Sequence, residues 1–254
     1  MHYRTMAQDG NINWQKVSWI KQFSNRIKQL WKKEIKETNV YFISGMCYNC
    51  SVFDEFKLPE GFIKKYIEWH VPHFGESLTE YVQTVAKEID TSRPFILVGY
   101  SFGGVIAQEL SFLLSPLKII LISTFKSEEE IPILFRAAKR TNAADRIPKR
   151  VYASTELITD AFNRFVYNMP TSELTSVMTF VDPDYIKWSI EQITNWTPRN
   201  KSKHLYHIHG TEDQVFPYEL IRNAFPIEGG DHLMVLKKAN VINPILNGLL
   251  LIRE

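Results

Sequence analysis

The stretch Phe95-Ile96-Leu97-Val98-Gly99-Tyr100-Ser101-Phe102-Gly103-Gly104 decides how the chain is interpreted. Its first four residues are bulky and apolar, which is typical of a parallel strand buried on both faces. A Gly-x-Ser-x-Gly sequence follows, and it predicts a strained turn at Ser101 between glycines that leave room for close backbone contacts. Apolar residues then recur at helical spacing at Ile106, Leu110, Leu113 and Leu114. The stretch therefore predicts a strand, a tight turn and a helix.

Two kinds of site use a glycine-rich turn between a strand and a helix. In the nucleophile elbow, the turn presents a reactive serine. In the alternative, the helix N-terminus binds a phosphate group. The P-loop needs a Lys-Ser/Thr pair after its glycines, and the dinucleotide fingerprint needs G-x-G-x-x-G. Neither pattern occurs at this turn, so the elbow at Ser101 is the favoured interpretation.

Length, composition and charge restrict the class of protein. The 254 residues are 44% hydrophobic and 23% charged, as in ordinary globular proteins with a sizeable core. The formal net charge of +2 gives no basic excess that would make nucleic acid the principal partner. No apolar run reaches the roughly 18 residues that cross a bilayer. The start, Met1-His2-Tyr3-Arg4, lacks the pattern of a signal peptide, so we expect a cytoplasmic protein.

The N-terminal region, residues 1–38, is predicted to contain an amphipathic helix over Trp14–Glu37. One face of this helix is rich in lysine and arginine. A basic amphipathic helix can lie on a membrane surface or dock on its own domain, and docking is the favoured alternative. Its apolar residues recur at three- and four-residue spacing at Trp14, Val17, Ile20, Phe23, Ile27, Leu30 and Trp31.

Strand and helix patterns alternate over residues 39–124 and 201–254. Ser77-Leu78-Thr79-Glu80 is a capping box that opens one helix, and Pro244 lies near the predicted start of a closing helix. The alternation predicts an α/β fold with a mostly parallel sheet of about six strands and helices on both faces. The predicted strands are Asn39–Ser44, Tyr66–Val71, the four residues from Phe95, Leu117–Ile122, Leu205–His209 and Phe225–Glu228.

Residues 125–200 interrupt this alternation with helical patterns. The segment is too long for a bare loop, and it is predicted to be a helical cap insertion. One of its helices starts with Asp182 as N-cap and Pro183 at the first helical position. The segment carries a basic cluster that is favoured as a solvated face, with guidance of an acidic substrate as the alternative. The cluster comprises Arg136, Lys139, Arg140, Arg146, Lys149 and Arg150.

The only cysteines, Cys47 and Cys50, form a Cys-x-x-Cys pair. This pair allows a redox or metal role, but a zinc site needs four ligands and no second cysteine pair exists. Two cysteines are also too few for a disulfide framework. Ordinary buried thiols are therefore expected, with no metal and no cofactor.

Three motifs resemble those of the α/β-hydrolase family, from about Val40 to the C-terminus. They are Gly99-Tyr100-Ser101-Phe102-Gly103, His209-Gly210-Thr211-Glu212-Asp213 and Gly229-Gly230-Asp231-His232. The family order is serine, acid, histidine. That order is selective here because only His232 follows Asp213. The other six histidines, His2, His70, His73, His204, His207 and His209, all precede it.

The resemblance implies a catalytic triad of Ser101, Asp213 and His232. The histidine would take the serine proton during attack, and the carboxylate would hold the imidazole in the required tautomer. Alternative acids lie in the same interval of the sequence, and Asp213 is preferred because it follows a strand end. Of the alternatives, Asp182 is better explained as a helix cap, Asp184 lies in the insertion and Asp231 adjoins His232.

The resemblance also implies an oxyanion hole of two backbone N–H groups. One belongs to Phe102, the residue after the nucleophile. The other belongs to the loop after the first core strand, where Met46 is the choice and Gly45 is the alternative. Family members often carry His-Gly at this loop and two antiparallel strands before it. This chain instead has Ser44-Gly45 and helical periodicity, so a smaller sheet is expected.

The expected activity is that of a serine hydrolase acting on a small-molecule carboxylic ester or thioester, with an apolar acyl group. The same triad supports carbon–carbon bond hydrolysis and hydroxynitrile cleavage, which the sequence leaves open. A non-catalytic protein that uses the fold to bind a ligand or a partner is the alternative from another class.

Overall fold

A computed structural model describes residues 37–142, 146–152, 154, 178–199 and 202–252. The predicted helix over Trp14–Glu37 lies outside these residues, apart from Glu37 itself. The strands are β1 Thr38–Ile43, β2 Phe62–Ile67, β3 Phe95–Tyr100, β4 Lys118–Ile122, β5 Leu205–Gly210 and β6 Phe225–Ile227. The helices are α1 Leu78–Ala86, α2 Phe102–Leu113, α3 Ile133–Thr141, α4 Lys149–Tyr152, α5 Pro183–Asn195, α6 Met234–Lys237 and α7 Ala239–Leu251.

The described strands form one six-stranded sheet in the order β2-β1-β3-β4-β5-β6, and every neighbouring pair is parallel. This confirms the predicted parallel sheet of about six strands. The chain passes from β1 outward to β2 and then returns to the other side of β1 to form β3. The carboxyl ends of β1 and β3 therefore meet where the strand order reverses, which is the usual position of a ligand site in an open α/β sheet.

Burial follows position in the sheet. All six residues of β3 and all five of β4 are buried, as the apolar sequence of these strands predicts for every residue except Lys118. In contrast, the edge strand β2 carries exposed Lys65 and Tyr66. Buried aliphatic and aromatic side chains of β1, β3, β4 and α2 make up the centre of the hydrophobic core. This rigid centre positions the turns at the carboxyl ends of the strands.

Two element boundaries were predicted wrongly. The second strand is Phe62–Ile67 and not Tyr66–Val71. The last residue of this strand, Ile67, pairs with Ile43, which is the last residue of β1. The chain leaves the sheet after this pair, so Trp69 lies in the following loop. The closing helix begins at Ala239, and Pro244 lies inside it rather than near its start. A proline in this position removes one backbone donor without ending the helix, whose apolar face remains packed on the core.

Two other signals for helix starts, at Ser77 and Asp182, were correct. The Ser77 side chain accepts the N–H of Glu80, and the Glu80 carboxylate accepts the N–H of Ser77, so the capping box is complete. Asp182 Oδ1 accepts the N–H groups of Asp184 and Tyr185 at 2.9 and 3.0 Å, which makes it the N-cap of α5. Over the described ranges, no helix has the length and apolarity needed to cross a bilayer.

Candidate active site

Ser101 lies on the turn between β3 and α2 in a sparsely populated backbone conformation, with φ 52° and ψ −119°. Such a conformation costs about 1–3 kcal/mol and persists only where surrounding contacts enforce it. Here the Ser101 N–H donates to the Ile122 carbonyl at 3.0 Å, and the Ser101 carbonyl accepts the Gly104 N–H at 2.9 Å. The neighbouring strand β4 and the first turn of α2 therefore hold the serine in place.

The glycines of the motif allow α2 to approach the sheet closely. A Cβ atom on Gly99 would lie 2.4 Å from the Gly103 carbonyl oxygen. A Cβ atom on Gly103 would lie 2.2 Å from the Ile43 carbonyl oxygen. Both separations are shorter than any real Cβ contact, and the obstructing atoms belong to the backbone. The Gly-x-Ser-x-Gly sequence is therefore a steric requirement of this turn.

The structure brings Ser101, His232 and Asp213 together at the carboxyl ends of β3 and β5. His232 Nε2 lies 3.0 Å from Ser101 Oγ, and His232 Nδ1 lies 2.9 Å from Asp213 Oδ2. His232 and Asp213 are only 2% and 3% exposed. In the neutral imidazole the proton must sit on Nδ1, which faces a carboxylate, and Nε2 is then free to accept the serine O–H.

The Asp213 carboxylate is held in one orientation by a turn that follows β5. Its Oδ1 accepts the N–H groups of Val215 and Phe216 at 2.9 and 3.0 Å. Burial raises the pKa of Asp213, but the opposing effects of His232, His209 and the Phe216 N–H are larger in sum. The net result is a pKa below the ordinary value, so the carboxylate is ionised at neutral pH.

The loop that carries His232 is held by contacts with Tyr100, Phe216 and Gly210. The Tyr100 hydroxyl donates to the His232 carbonyl at 3.0 Å, so the residue before the serine supports the histidine. The Tyr100 and Phe216 rings lie 5.6 and 5.5 Å from the imidazole centroid. A Cβ on Gly210 would lie 2.1 Å from the Gly230 carbonyl oxygen, so the strand end and the histidine loop pack backbone to backbone.

The three alternative carboxylates have other partners or positions. Asp182 caps α5, and Asp184 is exposed on its first turn. Asp231 forms an ion pair with the Lys237 ammonium, although it is adjacent to His232 in sequence. The structure places Asp213 against the His232 imidazole, and the assignment of Asp213 as the acid of a catalytic triad stays a prediction.

The two candidate oxyanion donors lie on the turns that follow β3 and β1. The Phe102 N–H is the first of α2 and has no intrahelical acceptor. Met46 follows Gly45, where a Cβ would lie 3.2 Å from the Ser101 Cβ, so the loop runs beside the serine. Among the described residues, neither N–H has a hydrogen-bond acceptor. The assignment of both groups to an oxyanion hole stays a prediction.

The loop after β1 is held rigidly beside the serine. The Gly45 carbonyl accepts the Tyr48 N–H at 3.1 Å and the Trp69 indole N–H at 3.0 Å. The adjacent cysteines are buried free thiols. Burial raises the pKa of Cys47, and burial raises that of Cys50 to about 12, so neither is a thiolate at neutral pH.

The described parts of residues 125–200 contact Phe102 and two neighbours of the site residues, Cys47 and Phe216. The Thr179 and Phe180 N–H groups donate to the Cys47 carbonyl at 3.0 and 3.1 Å. The Phe135 ring stacks on Phe216 at 5.7 Å, and the Trp188 ring contacts Phe102 at 5.9 Å. The basic cluster is exposed at Arg136, Lys139, Arg140 and Arg146, while the side chains of Lys149 and Arg150 lie outside the description.

A buried polar chain behind Asp213 was not predicted from the sequence. It consists of His209, His207, Lys126 and Glu130, in that order from the carboxylate outward. One signal was available: His207 and His209 alternate along β5 and must share one face of the sheet. Lys126 and Glu130 lie about eighty residues earlier in the chain, so the sequence does not connect them to the site.

No protein-family model and no curated protein sequence matches the chain. Several solved structures match the chain in fold. MenH from S. aureus has 15% sequence identity and a TM-score of 0.61, covering 86% of this chain and 95% of its own. An esterase from Thermogutta terrifontis has 13% identity and a TM-score of 0.59, covering 84% and 89%.

A hydrolase from Pseudomonas aeruginosa has 13% identity and a TM-score of 0.63, covering 84% of this chain and 90% of its own. Identities this low establish architecture rather than activity. The architecture is nevertheless the one that the three motifs implied. The chain has the α/β-hydrolase fold.

Proposed function

We propose that this protein is a serine hydrolase that cleaves a carboxylic ester or thioester through an acyl-enzyme on Ser101. The observation that carries the proposal is the pair of contacts made by one buried imidazole, 3.0 Å to Ser101 Oγ and 2.9 Å to Asp213 Oδ2. The fold shared with proteins described as an esterase and a hydrolase supports it. Fold alone does not fix activity, so the proposal rests on the site.

In the first half-reaction, Ser101 Oγ attacks the carbonyl carbon while His232 Nε2 takes the hydroxyl proton. The resulting imidazolium carries a proton on each nitrogen, and Asp213 stabilises it. The new oxyanion would accept hydrogen bonds from the N–H groups of Phe102 and Met46. When the tetrahedral intermediate collapses, the C–O or C–S bond breaks and His232 protonates the leaving alcohol or thiol.

In the second half-reaction, water replaces the serine as the nucleophile. His232 Nε2 takes one proton from the water as its oxygen attacks the acyl carbon. The acyl–Oγ bond then breaks, and the proton returns to Ser101. The products are a carboxylic acid and the resting enzyme, so atoms and protons balance without a metal or an organic cofactor.

We also propose that residues 125–200 form a cap that supplies the apolar wall of the substrate site. Phe135 and Trp188 support this, since each contacts a residue next to the triad. An apolar wall with few polar groups suits an acyl chain. Of the other apolar residues of the segment that motivate this proposal, Met178 is buried and Phe180 is half-buried. Phe162, Phe165, Tyr167 and Met169 lie outside the described residues.

The test is covalent labelling with a fluorophosphonate probe, followed by hydrolysis assays on acyl esters and acyl-CoA thioesters of graded chain length. Wild-type protein should be labelled at Ser101 and should hydrolyse at least one series. Ser101→Ala removes one oxygen and should abolish both signals while the circular dichroism spectrum stays unchanged. A wild-type protein that resists the probe and hydrolyses neither series would overturn the proposal in favour of a non-catalytic role.

A further inference from the structure

Two histidines of β5 lie directly behind the carboxylate of the site. His209 Nε2 is 2.8 Å from the Phe216 carbonyl oxygen and 3.4 Å from Asp213 Oδ2. His209 Nδ1 is 3.1 Å from His207 Nε2. Both imidazoles are buried, with exposures of 0% and 1%. Neither histidine takes part in the proposed reaction. Each nevertheless has a partner within 3.1 Å of both of its ring nitrogens, as His232 does.

The partners of these histidines fix where each proton lies. The Phe216 carbonyl can only accept, so His209 carries its proton on Nε2 and its Nδ1 must accept from His207 Nε2–H. His207 Nδ1 lies 3.1 Å from the Lys126 ammonium, which can only donate. The hydrogen bonds that link these side chains therefore run in one direction, from Lys126 through His207 and His209 to the Phe216 carbonyl. The Thr124 carbonyl is a further acceptor for the His207 ring.

The outer end of the chain is anchored by a buried ion pair. Lys126 Nζ lies 2.8 Å from Glu130 Oε1, and the Glu130 carboxylate also accepts the N–H groups of Lys126 and Arg222 at 2.9 Å each. Burial, followed by the nearby lysine charge, lowers the pKa of His207. Burial also lowers the pKa of His209 against the opposing effect of Asp213. Both imidazoles are consequently neutral at neutral pH.

Phe216 is the residue through which this chain reaches the site. Its N–H donates to Asp213 Oδ1, its carbonyl accepts from His209, and its ring lies 5.5 Å from His232. Displacement of the Phe216 backbone would remove a donor from the carboxylate and a packing surface from the imidazole together. The only side-chain group that holds its carbonyl among the described residues is His209 Nε2.

We propose that His209 is a positioning residue for Asp213 and His232. Through the Phe216 carbonyl, its Nε2–H fixes the turn that aims the carboxylate, and His207 with Lys126 fixes the tautomer that makes Nε2 the donor. This role rests on the proposed hydrolase function, but the geometry it maintains exists in the resting protein.

The test compares two amides that differ in reach. A glutamine at this position can place its side-chain nitrogen where Nε2 lies, whereas an asparagine reaches only to the position of Nδ1. His209→Gln should retain the Phe216 contact, and His209→Asn should lose it. The control is Trp196→Phe, which removes another buried N–H whose acceptor is Glu109 Oε1 at 2.8 Å and not the Phe216 carbonyl. Phenylalanine keeps an aromatic ring at the position that packs against Phe125.

Two measurements are needed. The kcat and KM of ester hydrolysis should show a loss in kcat on the order of 10²-fold for His209→Asn at nearly unchanged KM, as for a small misplacement of a reacting group. His209→Gln should lose much less. The proton NMR spectrum of resting protein should show the His232 Nδ1 proton far downfield, because it lies between an imidazole and a carboxylate. That resonance should persist in His209→Gln and Trp196→Phe and disappear in His209→Asn.

An NMR resonance and a kcat that are unchanged in folded His209→Asn would overturn the proposal, as would loss of the resonance in folded His209→Gln. An equal kcat loss in Trp196→Phe would also overturn it, because general destabilisation would then explain the effect. If His209→Asn does not fold, His209→Gln alone still decides through its resonance. The NMR measurement needs no substrate, so it tests the positioning role even if wild-type protein proves inactive.

Discussion

The two sides of His232 are constructed in different ways. On the serine side, the position of Ser101 is set by backbone geometry. Ser101 has φ 52°, and the surrounding glycines allow α2 to approach β1 and β3. On the carboxylate side, buried side chains and backbone polar groups hold Asp213 through a chain of hydrogen bonds. The geometry of the serine side therefore depends on close backbone packing. The geometry of the carboxylate side depends on hydrogen bonds between buried polar groups and on the protonation states of those groups.

This difference determines how each side fails. A side chain added to the serine turn collides with backbone atoms that cannot move independently. On the carboxylate side, removing one partner leaves a buried polar group without a hydrogen bond, which costs about 1–3 kcal/mol and releases its neighbours. Substitutions that add side-chain volume should therefore disrupt the serine side. Substitutions that remove a charge, and changes of pH, should disrupt the carboxylate side.

The largest effect is expected for Asp213→Asn, which keeps the shape of the carboxylate side and removes its charge. The amide can present a donor to His232 Nδ1, so the imidazole would take the wrong tautomer and present N–H to the serine. We expect kcat to fall by about 10⁴-fold with little change in KM. The melting temperature should fall as well, because the folded protein favours the ionised form of Asp213 over the neutral form. Steady-state kinetics and calorimetry of the purified variant measure both.

The matched control is Asp231→Asn, one residue before His232. Asp231 pairs with Lys237 at the surface, and surface ion pairs contribute at most about 1 kcal/mol. Its kcat should stay close to that of wild type. A nearly neutral Asp213→Asn would assign the orienting role to another group and would remove the distinction between the two sides.

An intermediate effect is expected for Gly103→Ala on the serine side. The new Cβ would lie 2.2 Å from the Ile43 carbonyl oxygen and 2.3 Å from that of Ser44. Helix α2 would have to move away from the sheet, at a cost of about 1–3 kcal/mol or more in the free energy of unfolding. Urea denaturation measures this loss, and kcat should fall with it because Ser101 precedes the displaced helix.

Gly248→Ala is the control for the same chemical change in open space. Gly248 lies inside α7, and a Cβ atom added there would have no neighbouring atom within 4 Å. Alanine is the better helix former, so this variant should gain about 0.5–1 kcal/mol. If both variants shift stability in the same direction, close packing of the serine turn does not explain its glycines.

The same contrast explains what the sequence could predict. The serine turn is built from consecutive residues, so its motif, its strand and its helix were all visible in one stretch. The order of Ser101, Asp213 and His232 along the chain was equally informative, because only one histidine follows the acid. The continuous apolar runs of β3 and β4 likewise identified the central strands.

Other features depend on contacts between distant residues and were missed. The chain behind Asp213 joins β5 to Lys126 and Glu130, which neither periodicity nor a motif connects. The edge strand β2 contains Lys64 and Lys65, and this polar interruption shifted its predicted position toward Trp69 and Val71. The helix α7 passes through Pro244 because tertiary packing outweighs one lost hydrogen bond.

The smallest effect, and the one specific to the carboxylate side, is the response of stability to pH. His207 and His209 have lowered pKa values in the folded protein, first because of burial. In the unfolded chain they titrate near the ordinary value of about 6.5. Below that pH the unfolded chain binds protons that the folded protein does not. Their stabilising effect is therefore complete above about pH 6.5 and is lost as the pH falls toward the folded-state values.

Each neutral histidine can add a slope of up to about 1.4 kcal/mol per pH unit in this range. Urea unfolding of wild-type protein between pH 7.5 and 5 should show this steep loss, and His207→Gln should reduce the slope by up to that amount. The slope, rather than the absolute stability, is decisive, because a glutamine at position 207 also alters hydrogen bonds at every pH. Equal slopes in wild type and His207→Gln would mean that His207 binds protons alike in the folded and the unfolded protein. The neutral His207 on which the one-directional chain from Lys126 to Phe216 depends would then be incorrect.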